Sequence, residues 1–287
     1  MLDLLLSIVF STSLFLVFSL QKKLDIRPLP VIVINYFTAG ITGLLVNKGF
    51  AVIGELPASP WFLMAMLMGA CFITSFNLMG KTTQQLGVNA AAVSSKMSMV
   101  IPVVFALIVI GETVTLLKVA AILIAVAAVY LTSVRKQDST VAPTGKLYLP
   151  LLLFLGCGMV DLLIGYSTHL YHDSVHFVLM PSVEFFMAGV LGLSFVFIFS
   201  RKTLSEFTFR AAGLGVLLGV CNYFSLHFIY RALRFGGLDT SVLFPLNNVG
   251  VVALSAVLAG LLFRERMSAM NIVGLIASIL ALLLLIV

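Results

Sequence analysis

Three ionisable side chains lie inside stretches of the sequence that are otherwise long and apolar. Lys96 belongs to the stretch 87–110, and Asp161 and Glu184 belong to two later apolar stretches. An ionisable group in hydrocarbon raises the free energy of the folded protein by several kcal/mol, so such residues are usually functional or paired. One lysine and two acids in the same membrane-embedded chain predict a central cavity with fixed charge of both signs.

The expected chemistry of these three residues is that of solute binding. Lys96 would hold a carboxylate or phosphate of the substrate. Glu184 or Asp161 would hold an ammonium group, or would load and release a proton during transport, because a carboxylate taken out of water binds a proton more readily. The alternative is purely structural: an internal ion pair between Lys96 and one of the acids that locks two helices together.

A second group of candidates could line the same cavity with amide, aromatic and imidazole groups. Such side chains supply shape and hydrogen bonds for an organic solute. The alternative is hydrogen bonding between helices, typically worth less than about 2 kcal/mol for each bond. These candidates are Asn35, Tyr36, Asn222, Tyr223, His227, Asn247 and Asn248.

Composition identifies the environment in which these residues must be positioned. The chain of 287 residues is 61% hydrophobic and 10% charged, and its mean hydropathy is +1.17. Soluble domains carry about 25% charged residues, so the sequence predicts an integral membrane protein. We predict ten apolar spans: 2–20, 29–46, 61–80, 87–110, 116–134, 147–166, 177–199, 211–230, 238–262 and 270–287.

The spans repeat. The segment 37–44, which contains Ala39-Gly40, reappears 149 residues later as 186–193, and Gly69 reappears 150 residues later as Gly219. Five spans in each copy is an odd number, so the second copy must enter the bilayer from the opposite side. Inverted repeats of this kind are common in secondary transporters, whose substrate site lies near the midplane between the halves.

The predicted fold is therefore all-α and membrane-integral, with ten transmembrane helices arranged as two inverted five-helix repeats. The first repeat is expected over residues 1–135, a polar linker over 136–146 and the second repeat over 147–287. Long spans without polar/apolar alternation favour helices over a barrel, because a helix satisfies its own backbone hydrogen bonds in lipid.

The ends of spans 4 and 9 carry short motifs. Pro102 is followed by Ile110-Gly111-Glu112-Thr113-Val114, and the second half has Phe263-Arg264-Glu265-Arg266-Met267. With these motifs and the span count, the chain resembles the drug/metabolite transporter superfamily, in particular its EamA-like ten-helix branch. The resemblance implies two inverted five-helix repeats that move small organic solutes. The chain departs from that pattern in span 9, where Asn247 and Asn248 take the place that Pro102 has in span 4. The proline of span 9, Pro245, comes before these two asparagines.

The distribution of basic residues bears on orientation. Of the 17 Lys and Arg residues, 12 lie in the odd-numbered connections and 4 in the even-numbered ones. The positive-inside rule then places the odd-numbered connections in the cytoplasm and both termini outside. The resemblance implies the reverse, with cytoplasmic termini, and both orientations stay open.

Several classes of function are disfavoured. Cys71, Cys157 and Cys221 all lie within apolar spans, so a disulfide framework is not expected, and their spacing fits no metal motif. There is no Gly-rich nucleotide loop that would indicate ATP drive. Catalytic motifs within the spans are also missing, so we expect no enzymatic activity, no cofactor, no bound metal and no nucleic-acid partner.

The sequence therefore predicts a multi-pass protein of the cytoplasmic membrane that acts as a secondary transporter. Its substrate would be a small polar or zwitterionic metabolite of amino-acid-like chemistry, moved by alternating access with proton coupling or exchange. The alternative on the same scaffold is a flippase for a lipid or a lipid-linked sugar. The expected partners are the solute and membrane lipids, and the protein would be a monomer or a homodimer.

Overall fold

The protein folds as a bundle of helices joined mostly by short connections. A computed structural model describes residues 1–86, 94–113, 115–133, 148–263 and 269–286. The principal helices of this described part are α1 (Leu2–Lys23), α2 (Pro28–Val46), α3 (Phe62–Leu86), α4 (Val100–Phe105), α5 (Leu116–Ser133), α6 (Tyr148–Tyr171), α7 (Met180–Phe199), α8 (Phe209–Phe235), α9 (Thr240–Phe263) and α10 (Ala269–Ile286). A π-helical segment, Ala106–Ile110, extends α4.

The prediction of a helical protein is confirmed for the described residues, and the length and composition of the helices indicate a membrane-embedded protein. Among the described ranges there is no strand. Five helices are long and apolar enough to cross a membrane: Pro28–Val46, Phe62–Met79, Tyr148–Tyr171, Phe177–Phe199 and Phe209–Phe235. The other five predicted spans each overlap a shorter apolar helix, namely Leu2–Phe18, Ser94–Ile110, Leu116–Leu131, Thr240–Ser255 and Ile272–Ala281.

Several sequence predictions lie wholly or partly outside the described residues. These are the beginning of span 4 at 87–93, the predicted linker at 136–146, and residues 264–267 of the second terminal motif. Val114 of the first motif also lies outside them.

Glycines bring α2 and α7 into close antiparallel contact. A methyl group added at Gly40 would lie 2.8 Å from the Phe186 ring, and one added at Gly189 would lie 3.3 Å from the Phe37 ring. The two phenylalanine rings meet edge to face, with centroids 6.4 Å apart. In the sequence repeat, Phe37 corresponds to Phe186 and Gly40 corresponds to Gly189. The contact of Gly40 with Phe186 is therefore repeated, with the two halves exchanged, by the contact of Gly189 with Phe37.

The same reciprocity extends to α3 and α8. A methyl group at Gly69 would lie 2.6 Å from the Glu184 carbonyl oxygen, and one at Gly219 would lie 2.6 Å from the Asn35 carbonyl oxygen. Gly69 corresponds to Gly219 in the repeat, and Asn35 corresponds to Glu184. Small residues therefore let α3 reach the backbone of α7 in the way that α8 reaches the backbone of α2.

An ion pair and a hydrogen bond between polar side chains link the two halves of the chain at opposite ends of the bundle. Arg27, just before α2, bonds Glu206 at 2.6 Å in the connection after α7. His176, just before α7, lies 3.1 Å from Glu55 in the connection after α2. We call these the odd end (Arg27, Glu206) and the even end (Glu55, His176), because they carry the odd-numbered and even-numbered connections respectively.

Candidate functional site

Lys96 lies where span 4 is interrupted. Residues 94–97 are helical, a turn follows at Ser98 and Met99, and α4 begins at Val100. Pro102 has no N–H to donate to the carbonyl of Ser98, four residues earlier, and this missing hydrogen bond favours a kink or break at this point. The break begins two residues after Lys96.

Asp161 lies on α6 between two glycine contacts. A methyl group at Gly158 would lie 2.8 Å from Ile101 Cβ on α4. One at Gly165 would lie 2.7 Å from Thr240 Cγ2 on α9. These positions are three and four residues from Asp161 and share its face of the helix. The small residues therefore admit α4 on one side of the carboxylate and α9 on the other.

Lys96, Asp161 and Asn248 form one cluster, which we call the central cluster. Lys96 Nζ donates to Asn248 Oδ1 at 3.2 Å. The Asp161 carboxylate shares a hydrogen bond with the same asparagine and interacts electrostatically with Lys96. Asn248, which is 5% exposed, thus bridges a cation and an anion. The thiol of Cys157, one turn before Asp161, lies close enough to interact with both charges.

Tyr36 borders the central cluster from α2. Its side chain is fully buried and packs edge to face against Phe76, with ring centroids 5.6 Å apart. Its hydroxyl interacts electrostatically with Cys157 and has no hydrogen-bond partner within the described part of the chain. A buried hydroxyl normally has a partner, so this group is available to a bound solute or to water.

The predicted amides Asn35, Asn222 and Asn247 belong to a different network. Asn222 Nδ2 donates to Asn35 Oδ1 at 3.2 Å. Ser7 Oγ on α1 contacts both the Ser225 carbonyl at 3.0 Å and Asn247 Oδ1 at 3.1 Å. These bonds join α1, α2, α8 and α9, as expected for the structural alternative considered for each amide.

Tyr223 and His227 form a further pair on α8, at the level of the end of α2. Asn47 Nδ2 donates to the Tyr223 hydroxyl at 2.7 Å. That hydroxyl lies 3.1 Å from Nδ1 of His227. Both side chains thus have hydrogen-bond partners, and neither belongs to the central cluster.

Glu184 also lies apart from the central cluster. Its side chain is fully buried, and the Tyr230 hydroxyl donates to Oε1 at 2.6 Å. Ser167 Oγ lies 3.4 Å from the Tyr230 oxygen. Glu184 Oε2 has no hydrogen-bond partner in the described chain. Of the two acids expected in the cavity, only Asp161 is therefore placed with Lys96.

We predict that Tyr230→Phe lowers the free energy of unfolding by about 1–3 kcal/mol, because it removes the hydrogen bond to a buried carboxyl group. Unfolding of the purified protein in detergent would measure the loss. Tyr148→Phe is the matched control, since Tyr148 is 56% exposed, and a surface substitution of this kind changes stability by less than about 0.5 kcal/mol. Equal stability of the two variants would contradict the role assigned to the Tyr230 hydroxyl.

The histidines of the connection after α6 are held by hydrogen bonds and acidic neighbours. His172 Nε2 lies 3.0 Å from Asp173, and His176 lies beside Glu55. In the ranges that the structure describes, no group of three or more metal-ligating side chains is found.

Sequence reasoning missed two participants in these sites. Cys157 was recognised only as a cysteine within an apolar span, although its spacing of four from Asp161 places both on one helix face. Asn47 carried no signal, because it follows the last helical residue of α2 and only the packing of α8 brings it to Tyr223.

Comparison with known proteins supports the fold without naming an activity. No protein-family model matches the chain. An uncharacterized protein of Haemophilus influenzae is 24% identical over 286 residues, covering 96% of this chain and 94% of its own. A crystal structure of a protein superposes with a TM-score of 0.74 at 14% identity, covering 99% of this chain and 94% of that one. This likeness extends over the whole length of the fold.

Proposed function

We propose that the protein is a secondary transporter that moves a small polar or zwitterionic metabolite across the cytoplasmic membrane by alternating access. The central cluster carries this proposal. Lys96 comes from the first half of the chain, Asp161 and Asn248 come from the second, and the free Tyr36 hydroxyl borders them. A carboxylate of the solute would compete for Lys96, and an ammonium group would compete for Asp161.

The proposed architecture has ten membrane-crossing helices in two inverted five-helix repeats. Reciprocal contacts support it. Gly40 contacts Phe186 as Gly189 contacts Phe37, in the manner of residues related by a twofold axis. Substrate sites of such folds lie between the repeats, and the central cluster joins residues of both halves. This arrangement agrees with the resemblance to EamA-like transporters, and we propose that the chain belongs to that family.

Transport would be driven by protons or by exchange of one solute for another. Asp161 and Glu184 are the two acids proposed to carry a proton. Asp161 would do so within the central cluster, where substrate and proton would compete for the same carboxylate. Glu184 would do so at a separate position beside Tyr230.

Flipping of a lipid or lipid-linked sugar is the second candidate function. A groove of about 270 Å³ lies between α2, α3 and α7 beneath the connection after α2. Its walls, which include Leu44, Phe62 and Val190, are apolar and suit an acyl chain. Among the described residues no lysine or arginine lines this groove, whereas a phospholipid headgroup site would need one, so the small-solute proposal is favoured.

Thermal stabilisation of the purified protein tests the proposal. Amino acids, other organic anions and cations, sugars and lipid headgroups would be screened in detergent. A ligand about 100-fold above its Kd stabilises the folded state by about 2.7 kcal/mol, which raises the melting temperature by several degrees. We expect a hit among zwitterions or organic anions that is lost in Lys96→Ala. Hits confined to lipids would favour the flippase, and a hit kept in Lys96→Ala would remove the central cluster from the binding site.

A further inference from the structure

Glu112 caps a helix that belongs to the other half of the chain. The α4 segment ends at Gly111, which has a positive φ of 79°, and this left-handed turn directs the next residue towards α9. Glu112 Oε1 accepts from the backbone N–H of Thr240 at 2.8 Å. Oε2 accepts from the N–H of Ser241 at 3.0 Å and from the Ser241 hydroxyl. The carboxylate of Glu112, which follows span 4, thus accepts from N–H groups of α9 that would otherwise lack a partner. Its negative charge also stabilises the positive end of the α9 helix dipole.

The residue that would normally cap α9 is engaged elsewhere. Asp239 precedes the first helical residue, and aspartate is a favoured residue at that position. Its carboxylate instead pairs with Lys118 Nζ at 2.8 Å. Lys118 also donates to the Thr113 carbonyl at 3.3 Å and lies 3.6 Å from Glu112. Each half of the chain therefore contributes a carboxylate that is bonded to the other half.

These contacts lie at the even end. Those made by Glu112 are shielded from solvent, whereas the Asp239 side chain that pairs with Lys118 is 49% exposed. The side chains of Lys118 and Glu112 are each 9% exposed, and Ser241 is fully buried. Charge-assisted bonds in such a setting are stronger than those at an open surface. By contrast, the Glu55–His176 pair at the same end has side chains that are 68% and 26% exposed.

The first turn of α9 lacks one of the backbone hydrogen bonds that tie it to the next turn of a regular helix. Pro245 lies inside α9 and has no N–H to donate to the carbonyl of Ser241, four residues earlier. The turn that Glu112 holds can therefore tilt about Pro245. Asn248, which bridges the central cluster, follows three residues later on the same helix.

We infer that Glu112, Lys118 and Asp239 form a latch that closes the even end of the bundle and must release whenever the central cluster opens to that side. The latch rests on the proposed function, because it is the gate for the proposed transport site. Release frees the N-terminal turn of α9 from span 4, and tilting at Pro245 changes the position of Asn248 beside Lys96. Gate and site are thereby coupled through one helix.

Labelling of Cys157, the native thiol beside Lys96 and Asp161, tests the latch without any substrate. Cys71 and Cys221 are replaced by serine, and a membrane-impermeant maleimide is added to membrane vesicles of each orientation. Asp173→Cys, at a side chain that is 84% exposed at the even end, identifies the side that this end faces. We expect Glu112→Ala to raise the rate of Cys157 labelling from that side at least about fivefold. Such a ratio corresponds to a shift of the gate equilibrium by about 1 kcal/mol.

Further variants separate the latch from general loosening. Lys118→Met should raise labelling in the same direction, and Glu112→Gln should raise it less, since the amide oxygen still accepts from α9. Glu55→Ala, which breaks the exposed pair at the same end, is the matched control and should leave the rate unchanged. The latch is overturned if Glu112→Ala labels at the parent rate, if Glu55→Ala has an equal effect, or if labelling rises equally from both sides. A protein that transports no solute would still give a result in this assay.

Discussion

Removing one charge of the central cluster is expected to destabilise the protein more than removing both. Lys96→Met leaves the Asp161 carboxylate in the bundle without its neighbouring ammonium, and Asp161→Asn leaves the ammonium without the carboxylate. Breaking a fully buried ion pair from one side typically costs about 3–5 kcal/mol, whereas replacing both partners is often nearly neutral. We expect a smaller loss here, because Lys96 and Asp161 are partly buried. We therefore expect the double variant to recover most of the stability lost by either single variant.

The double variant also separates structure from function. If the pair serves a substrate, the double variant folds but shows no stabilisation by the ligand that stabilises the parent protein. If the pair only locks two helices, ligand stabilisation survives in it. Unfolding titrations in detergent, with and without ligand, measure both quantities. Arg27→Met is the control, because this side chain is 74% exposed and an exposed pair contributes at most about 1 kcal/mol. Additive losses in the double variant would show that the two charges do not interact.

Replacing Gly219 by alanine is the second change with a large expected effect. The added methyl group would lie 2.6 Å from the Asn35 carbonyl oxygen, a backbone atom that cannot move alone. Overpacking of this kind typically costs about 1–3 kcal/mol. At Gly213 on the same helix, such a methyl group would have no atom of the described residues within 4 Å apart from the local helix backbone and its chain neighbours. Gly213→Ala should therefore stabilise α8 by up to about 1 kcal/mol through helix propensity.

The reciprocal contact at Gly69 gives a second expected result for the same experiment. Gly69→Ala should lose an amount of stability similar to that lost by Gly219→Ala, because its methyl group would meet the Glu184 carbonyl oxygen at the same distance. A Gly219 variant as stable as the Gly213 variant would contradict the close contact. Strongly unequal losses at positions 69 and 219 would count against the twofold relation between the halves.

The latch and the central cluster place α9 at the centre of the proposed mechanism. Its first turn is held by Glu112, and Asn248 bonds Lys96 from the same helix. Pro245 lies between the two contacts. A solute that displaces Asn248 from Lys96 would therefore act on the helix that carries the gate. The solute would then bind the open and closed states with different affinities, as a conformational switch requires.

Much of the fold follows from composition and periodic placement. A chain with 10% charged residues cannot cover itself with water-soluble surface, so long apolar segments had to become helices in a membrane. The boundaries of those segments agree with the helices to within a few residues, because loops in this chain are marked by charge, Gly and Pro. Span 4 is the exception: a continuous apolar stretch was predicted, and Pro102 interrupts it after Met97.

The sequence by itself predicted that Lys96, Asp161 and Glu184 would face the interior of the bundle, because a charge exposed to hydrocarbon raises the free energy by several kcal/mol. Glu184 is fully buried, and Lys96 and Asp161 are partly buried. Only the tertiary structure decided which of them meet. Asp161 reaches Lys96 because Gly158 and Gly165 admit α4 and α9 to its face of α6, whereas Glu184 is bonded to Tyr230 on α8. The role of Glu112 was equally hidden, since its partners Thr240 and Ser241 lie 128 and 129 residues away. Helix periodicity specifies which face a residue occupies, but contacts between distant helices depend on how closely backbones approach, and that is set by packing in three dimensions.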